Sequence, residues 1–121
     1  GYVNDRLFAE SRTRDMTARG LGRRRVAGAL AMAGVDADTS AESLDQAGAV
    51  ALATAVAFAR RKRLGPFARE ATATDPASRQ KAAQKAMAAM LRAGHGLDVA
   101  RRVLAAPDPA AAEALVDDIS E

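Results

Sequence analysis

Apolar side chains recur every three or four positions along most of this chain, and glycine or proline interrupts the pattern at intervals. That period belongs to helices with one buried face. It predicts a first helix from about Asn4 to Ala18, capped by Asn4 or Asp5, with Leu7, Phe8, Ser11 and Met16 inward. Gly20 stops it. A second helix runs from about Arg23 to Ala33, buries Val26, Leu30 and Ala33, and ends at Gly34. A third opens on a capping box, Thr39 with Glu42. It continues over Leu44, Gly48, Ala51 or Leu52, Ala55 and Phe58 to about Leu64, where Gly65-Pro66 blocks it. Asp75-Pro76 pairs a cap with a first-turn proline. The helix it starts reaches about Arg92, with Ala83, Ala86, Met87, Met90 and Leu91 inward. A short helix covers about Leu97 to Ala105, and Asp108-Pro109 restarts a last one ending near Ile119.

The expected architecture is all-α: tandem three-helix repeats, elongated, each a helix-turn-helix-like unit. The division predicted is 1–64 and 75–121, joined by a linker loop at 65–74. One local echo supports repetition. Gly20-Leu21-Gly22 makes the first corner, and Gly94-His95-Gly96 makes a second 74 positions later, with Leu30 and Leu104 equally spaced behind them.

Composition narrows the core. Hydrophobic residues make up 49% of 121, but 32 of them are alanine and only 27 are large. Alanine favours helix, and so few large residues build a thin core that stacked repeats would share. The chain has no cysteine, which removes disulfides and thiolate metal sites. Its longest uncharged apolar run, Ala47 to Ala59, is too short to span a bilayer. No signal peptide is visible, and a cytoplasmic location is expected.

Charge is laid out in blocks behind a net of +3. Residues 1–25 and 60–102 are strongly basic, whereas 26–59 and 103–121 hold acids and no bases. Such segregation steers charged partners. Arg23, Arg24 and Arg25 open the second helix, where its dipole disfavours cations and attracts anions. With Arg19 they form a candidate partner- or anion-binding corner, since guanidinium grips phosphate and carboxylate bidentately. Arg60, Arg61, Lys62 and Arg63 form a second basic cluster, part of which suits the C-terminal end of a helix.

Catalytic chemistry has few candidates. His95 is the single histidine and sits between two glycines, a position that suits a packed turn filler. Gly20-x-Gly22 lacks the third glycine and the preceding strand of a dinucleotide loop. Asp36, Asp38, Glu42 and Asp45 read as helix-start acids. Phe8 and Phe58 read as core, leaving few aromatics to stack bases. No catalytic residue, metal, cofactor, membrane or small-molecule substrate is expected.

Gly1-Tyr2-Val3-Asn4-Asp5, Phe8-Ala9, Arg19-Gly20-Leu21-Gly22, Arg24-Arg25-Val26, Leu30 and Gly34-Val35 resemble the central region of the RecX regulatory proteins. Asp75-Pro76, Arg79-Gln80-Lys81, Arg92-Ala93-Gly94 and Leu97-Asp98-Val99 resemble that family's C-terminal repeat. The resemblance implies tandem three-helix repeats, the second and third of the family, with the first preceding Gly1. It implies a non-enzymatic protein that binds the RecA filament on single-stranded DNA and restrains its recombinase, ATPase and co-protease activities. The protein would thereby act in DNA repair, recombination and the SOS response. Single-stranded DNA phosphates are a further expected contact. Asn4, Arg23, Leu21 and His95 depart from the residues usual in that family.

A general basic helix-turn-helix-like DNA-binding module is the alternative. Its second helix would enter the major groove. Beyond Arg25, however, that helix offers Ala27, Gly28, Ala29, Ala31 and Met32, none of which reads base edges.

Overall fold

The computed structural model describes residues 5–68 and 75–120, the last three as backbone only. Among them are seven α-helices and no strand: α1 (Asp5–Ala18), α2 (Arg23–Met32), α3 (Ala37–Ala49), α4 (Ala51–Lys62), α5 (Pro76–Arg92), α6 (Leu97–Leu104) and α7 (Pro109–Ser120). A single 3-10 turn covers Gly65–Phe67. The expected Asn4 cap and most of the expected linker, residues 69–74, lie outside the described residues.

The single helix expected from Thr39 to Leu64 is two helices that meet at Val50. Val50 leaves helical geometry, with φ −111° and ψ 17°, and α4 restarts behind it. Thr54 donates both its N–H and its hydroxyl, each at 2.9 Å, to the Val50 carbonyl. The break has a packing reason. α3 lies against α1 and α2, whereas α4 lies against α5, α6 and α7. One straight rod could not serve both groups. The α3 cap also differs from the expected one. Asp36, not Thr39, caps it, accepting from the Thr39 N–H at 2.8 Å and the Thr39 hydroxyl at 3.1 Å. Asp36 precedes the first turn with its backbone extended, the geometry a capping side chain needs. The Asp75 cap forms as expected, accepting from the Ser78 N–H at 3.0 Å.

Two cores result. Ala9, Met16, Val26, Leu30 and Val35 form the first, under α1, α2 and α3. Leu52, Val56, Phe58, Met90 and Val103 anchor the second, under α4 to α6. Leu21, in the first corner, packs against both. The inner face of α1 departs from expectation. Ala9, Thr13 and Met16 are buried, whereas Leu7 is 64% and Phe8 44% exposed. Residues 9, 13 and 16 share one helix face, and the short side chains there bring α1 close to α3. In α5, Ala86 and Met90 are buried as expected, but Ala83 and Leu91 are exposed.

Candidate partner-docking site at the paired corners

Both corners end a helix on a glycine with positive φ, Gly20 at 86° and Gly94 at 97°. They do not stand apart on two units. They interlock. The Gly22 N–H donates to the Ala93 carbonyl at 2.8 Å, and the Arg24 N–H to the Gly94 carbonyl at 3.0 Å. The approach tolerates no side chain at Gly22, where a Cβ would lie 2.5 Å from the Gly94 carbonyl. A Cβ on Gly94 would equally lie 2.5 Å from the Arg25 backbone nitrogen.

His95 sits at the centre, 2% exposed. Its Nε2 lies 2.9 Å from the Gly20 carbonyl. A carbonyl only accepts, so Nε2 carries the proton. The ring tilts against Phe58, with centroids 5.2 Å apart. Burial holds the imidazole below its ordinary pKa, and the bond to Gly20 partly offsets this. His95 thus fills the notch expected of it.

The eight basic residues singled out from the sequence fall into two groups. Four are engaged by the fold. Arg25 donates to the Arg92 carbonyl at 2.9 Å, capping the last residue of α5 from the first turn of α2. Arg61 donates to the Arg19 carbonyl at 2.9 Å, just past the end of α1. Each cation meets orphan carbonyls at a helix C-terminus, where the dipole favours it. Arg60 donates from Nε at 3.0 Å and from a terminal nitrogen to Glu113 of the acidic α7. Its guanidinium also lies 6.0 Å from the centre of the Phe67 ring. Arg19 pairs with Asp15 at 3.4 Å on an exposed face.

The other four, Arg23, Arg24, Lys62 and Arg63, are exposed and have no side-chain hydrogen bond or ion pair among the described residues. A cleft of about 180 Å3 opens beside Arg23 and Arg24, bordered by Thr54, His95 and Gly96. Two facts revise the electrostatics of this corner. The α2 first-turn N–H at Arg24 is already held by the Gly94 carbonyl, which leaves an anion fewer backbone donors there and more reliance on side chains. And among the described side chains of the C-terminal helix, an ion pair reaches Arg60 alone of the eight, from Glu113.

Sequence reasoning missed the contribution of the α5 C-terminus. The echo between the corners was visible, but not that the two copies touch. It also took Phe8 for core. No group of three or more His, Cys, Asp or Glu side chains that could hold a metal occurs among the described residues. No described helix is long and apolar enough to cross a membrane.

Residues 4–44 match the family RecX, second three-helix domain. The regulatory protein RecX of Myxococcus xanthus (strain DK1622) is 32% identical over 106 residues, covering 86% of this chain and 54% of the relative. The chain spans about half the length of that curated relative. No solved structure shows significant similarity.

Proposed function

Because the chain belongs to the RecX family of regulatory proteins, we propose that it binds the RecA filament on single-stranded DNA and restrains its recombinase, ATPase and co-protease activities. The docking site in this reading is the basic face at the paired corners. Arg23, Arg24, Lys62 and Arg63 meet acidic protein surface or DNA phosphates. Arg25, Arg61 and Arg60 fix the frame behind them, and Arg19 contributes at the rim.

The observation that carries this reading is the division of labour among the cations. Those that the fold uses face carbonyls, Glu113 or Asp15, and those it does not use remain exposed with no partner among the described residues. Arg63 adds to it. It closes α4 with φ 58°, a left-handed conformation that suits glycine better. A long cation kept at a strained position suggests a use for its side chain.

The packing also favours reading the chain as two tandem units divided at Val50, rather than after Leu64. α1 to α3 form the first, α4 to α6 the second, and α7 closes over α4.

The test is co-sedimentation with RecA filaments assembled on single-stranded DNA. Converting Arg23 and Arg24 together to Glu is expected to weaken binding by about tenfold or more, with a reduced salt dependence. Undiminished binding by the doubly reversed protein at moderate salt removes the corner as the docking site. Equal binding to bare DNA duplex with no need for RecA would favour the DNA-module reading.

A further inference from the structure

The first half of α5 is almost bare. Every residue from Pro76 to Lys85 is exposed, and the helix is buried against the body only further on, at Ala86 and Met90. High alanine content, the Asp75 cap and Pro76 in the first turn keep this stretch helical without tertiary support. Its inner side forms one wall of an apolar groove of about 740 Å3. Ala82, Ala83 and Met87 line that wall. Pro66, Leu104 and Pro107 line the other.

The groove has the lining chemistry of a seat for a helix. Arg79, Ala82, Ala83, Ala86 and Met87 follow helical spacing, and the small residues among them permit close approach. The opposite wall includes the last turn of α6, where Arg101, Leu104 and Ala105 repeat that spacing. Of the 13 lining residues, the only charged ones are Arg79 and Arg101, both cations. Among the described residues that line it, none is acidic and none is aromatic. Stacked bases therefore find no platform here. A second copy of α5 seated by the same face would bring its Arg79 against Arg79 and Arg101, a like-charge contact that costs affinity.

We propose that this groove docks an acidic amphipathic helix of a partner protein. The partner's apolar face fills the methyl-lined floor, and its carboxylates meet Arg79 and Arg101. The surface is separate from the paired corners and does not depend on them. The recognition mode is a helix laid in a groove, with anchors at i, i+3, i+4 and i+7.

The test uses two synthetic peptides of about 15 residues, long enough to form a helix. They share one Leu/Ala face and carry either Glu or Lys at all other positions. Each is titrated into the isotope-labelled full chain, and amide and methyl resonances are followed. The Glu peptide is expected to shift Ala82, Ala83, Met87 and Leu104, and the Lys peptide is not. Arg79→Glu with Arg101→Glu is expected to weaken Glu-peptide binding by about tenfold or more. Ala83→Trp, at an exposed helix position, is expected to block it while circular dichroism stays unchanged. Reversing Arg23 and Arg24 is expected to leave it intact, which separates this site from the corner. Equal binding of both peptides, shifts located elsewhere, or preferential filling of the groove by a fatty acid such as decanoate would each overturn the proposal.

Discussion

The Nε2–H of His95 reaches the Gly20 carbonyl across 2.9 Å, so the single imidazole of the second corner is seated on the backbone of the first. Its environment favours the neutral ring. Burial disfavours charge, and Arg23 and Arg24 border the same cleft, with no acid among its lining residues. Phe58 and Thr54 of α4 face it with uncharged groups. The folded pKa therefore lies below the unfolded value of 6.5. The unfolded chain binds the proton more readily, so stability is full above pH 6.5 and declines as pH falls through that value. Thermal midpoints measured from pH 8 to pH 5 should drop in the acidic half of the range. His95→Gln should flatten that drop. A midpoint constant down to pH 5 in the wild type would contradict it. The capping carboxylates Asp36 and Asp75 are held below 3.8 by N–H donors, so their loss begins only at lower pH.

Gly22 marks where the corners cannot be altered. A methyl group there would meet the Gly94 carbonyl at 2.5 Å and push apart the backbones that the Gly22 and Arg24 N–H groups hold together. Gly22→Ala should cost about 3 kcal/mol, toward the upper end of single substitutions. Gly28 has open space around its Cβ position and lies on the outer side of α2. Gly28→Ala should stabilise by about 0.5–1 kcal/mol through helix propensity. Urea denaturation of both variants checks the opposite signs.

Arginines that look alike in sequence should behave differently. Arg25→Gln and Arg61→Gln each remove a charged donor from a helix-end carbonyl, and each should cost about 1 kcal/mol. Arg23→Gln and Arg24→Gln break no bond in the described structure and should change stability by less than about 0.5 kcal/mol. In filament binding the order should invert when stability is matched, with Arg23 and Arg24 mattering more. If all four variants lose stability equally, the division between frame and docking residues does not hold.

Much of this fold was legible because helices are written in local signals. Gly20, Gly34 and Gly94 marked three helix ends, and Asp75-Pro76 marked a start. Val26, Leu30 and Met90, large residues on a clean 3.6 period, are core in the structure as that period predicts. The failures came where alanine dominates. In α1 the buried face is Ala9, Thr13 and Met16, and the larger Leu7 and Phe8 drew attention to the wrong side. At Val50 the break follows Gly48, which reads in the sequence as one position on a continuous helix face, and its cause is tertiary: α3 and α4 answer to different cores. The candidate site was legible only as composition. Three consecutive arginines are visible in the sequence. That one of them reaches a carbonyl 67 residues away is decided by the meeting of the corners.

That meeting should make the two cores unfold as one. Leu21 packs against both cores, and the corners share backbone bonds, the His95 contact and two arginine caps. Wild-type denaturation followed by far-ultraviolet dichroism should give a single transition, with a slope matching the surface of the whole chain. Leu21→Ala removes the one large side chain that, among the described residues, is common to both cores, and truncation of a packed leucine costs about 2–4 kcal/mol. Leu30→Ala creates a cavity of similar chemistry, but only in the first core. Both variants should lose comparable stability. Only Leu21→Ala should broaden the transition or split it in two, because only it weakens the joint. If Leu30→Ala splits the transition and Leu21→Ala does not, the coupling runs through the α1 to α3 core, not through the corners.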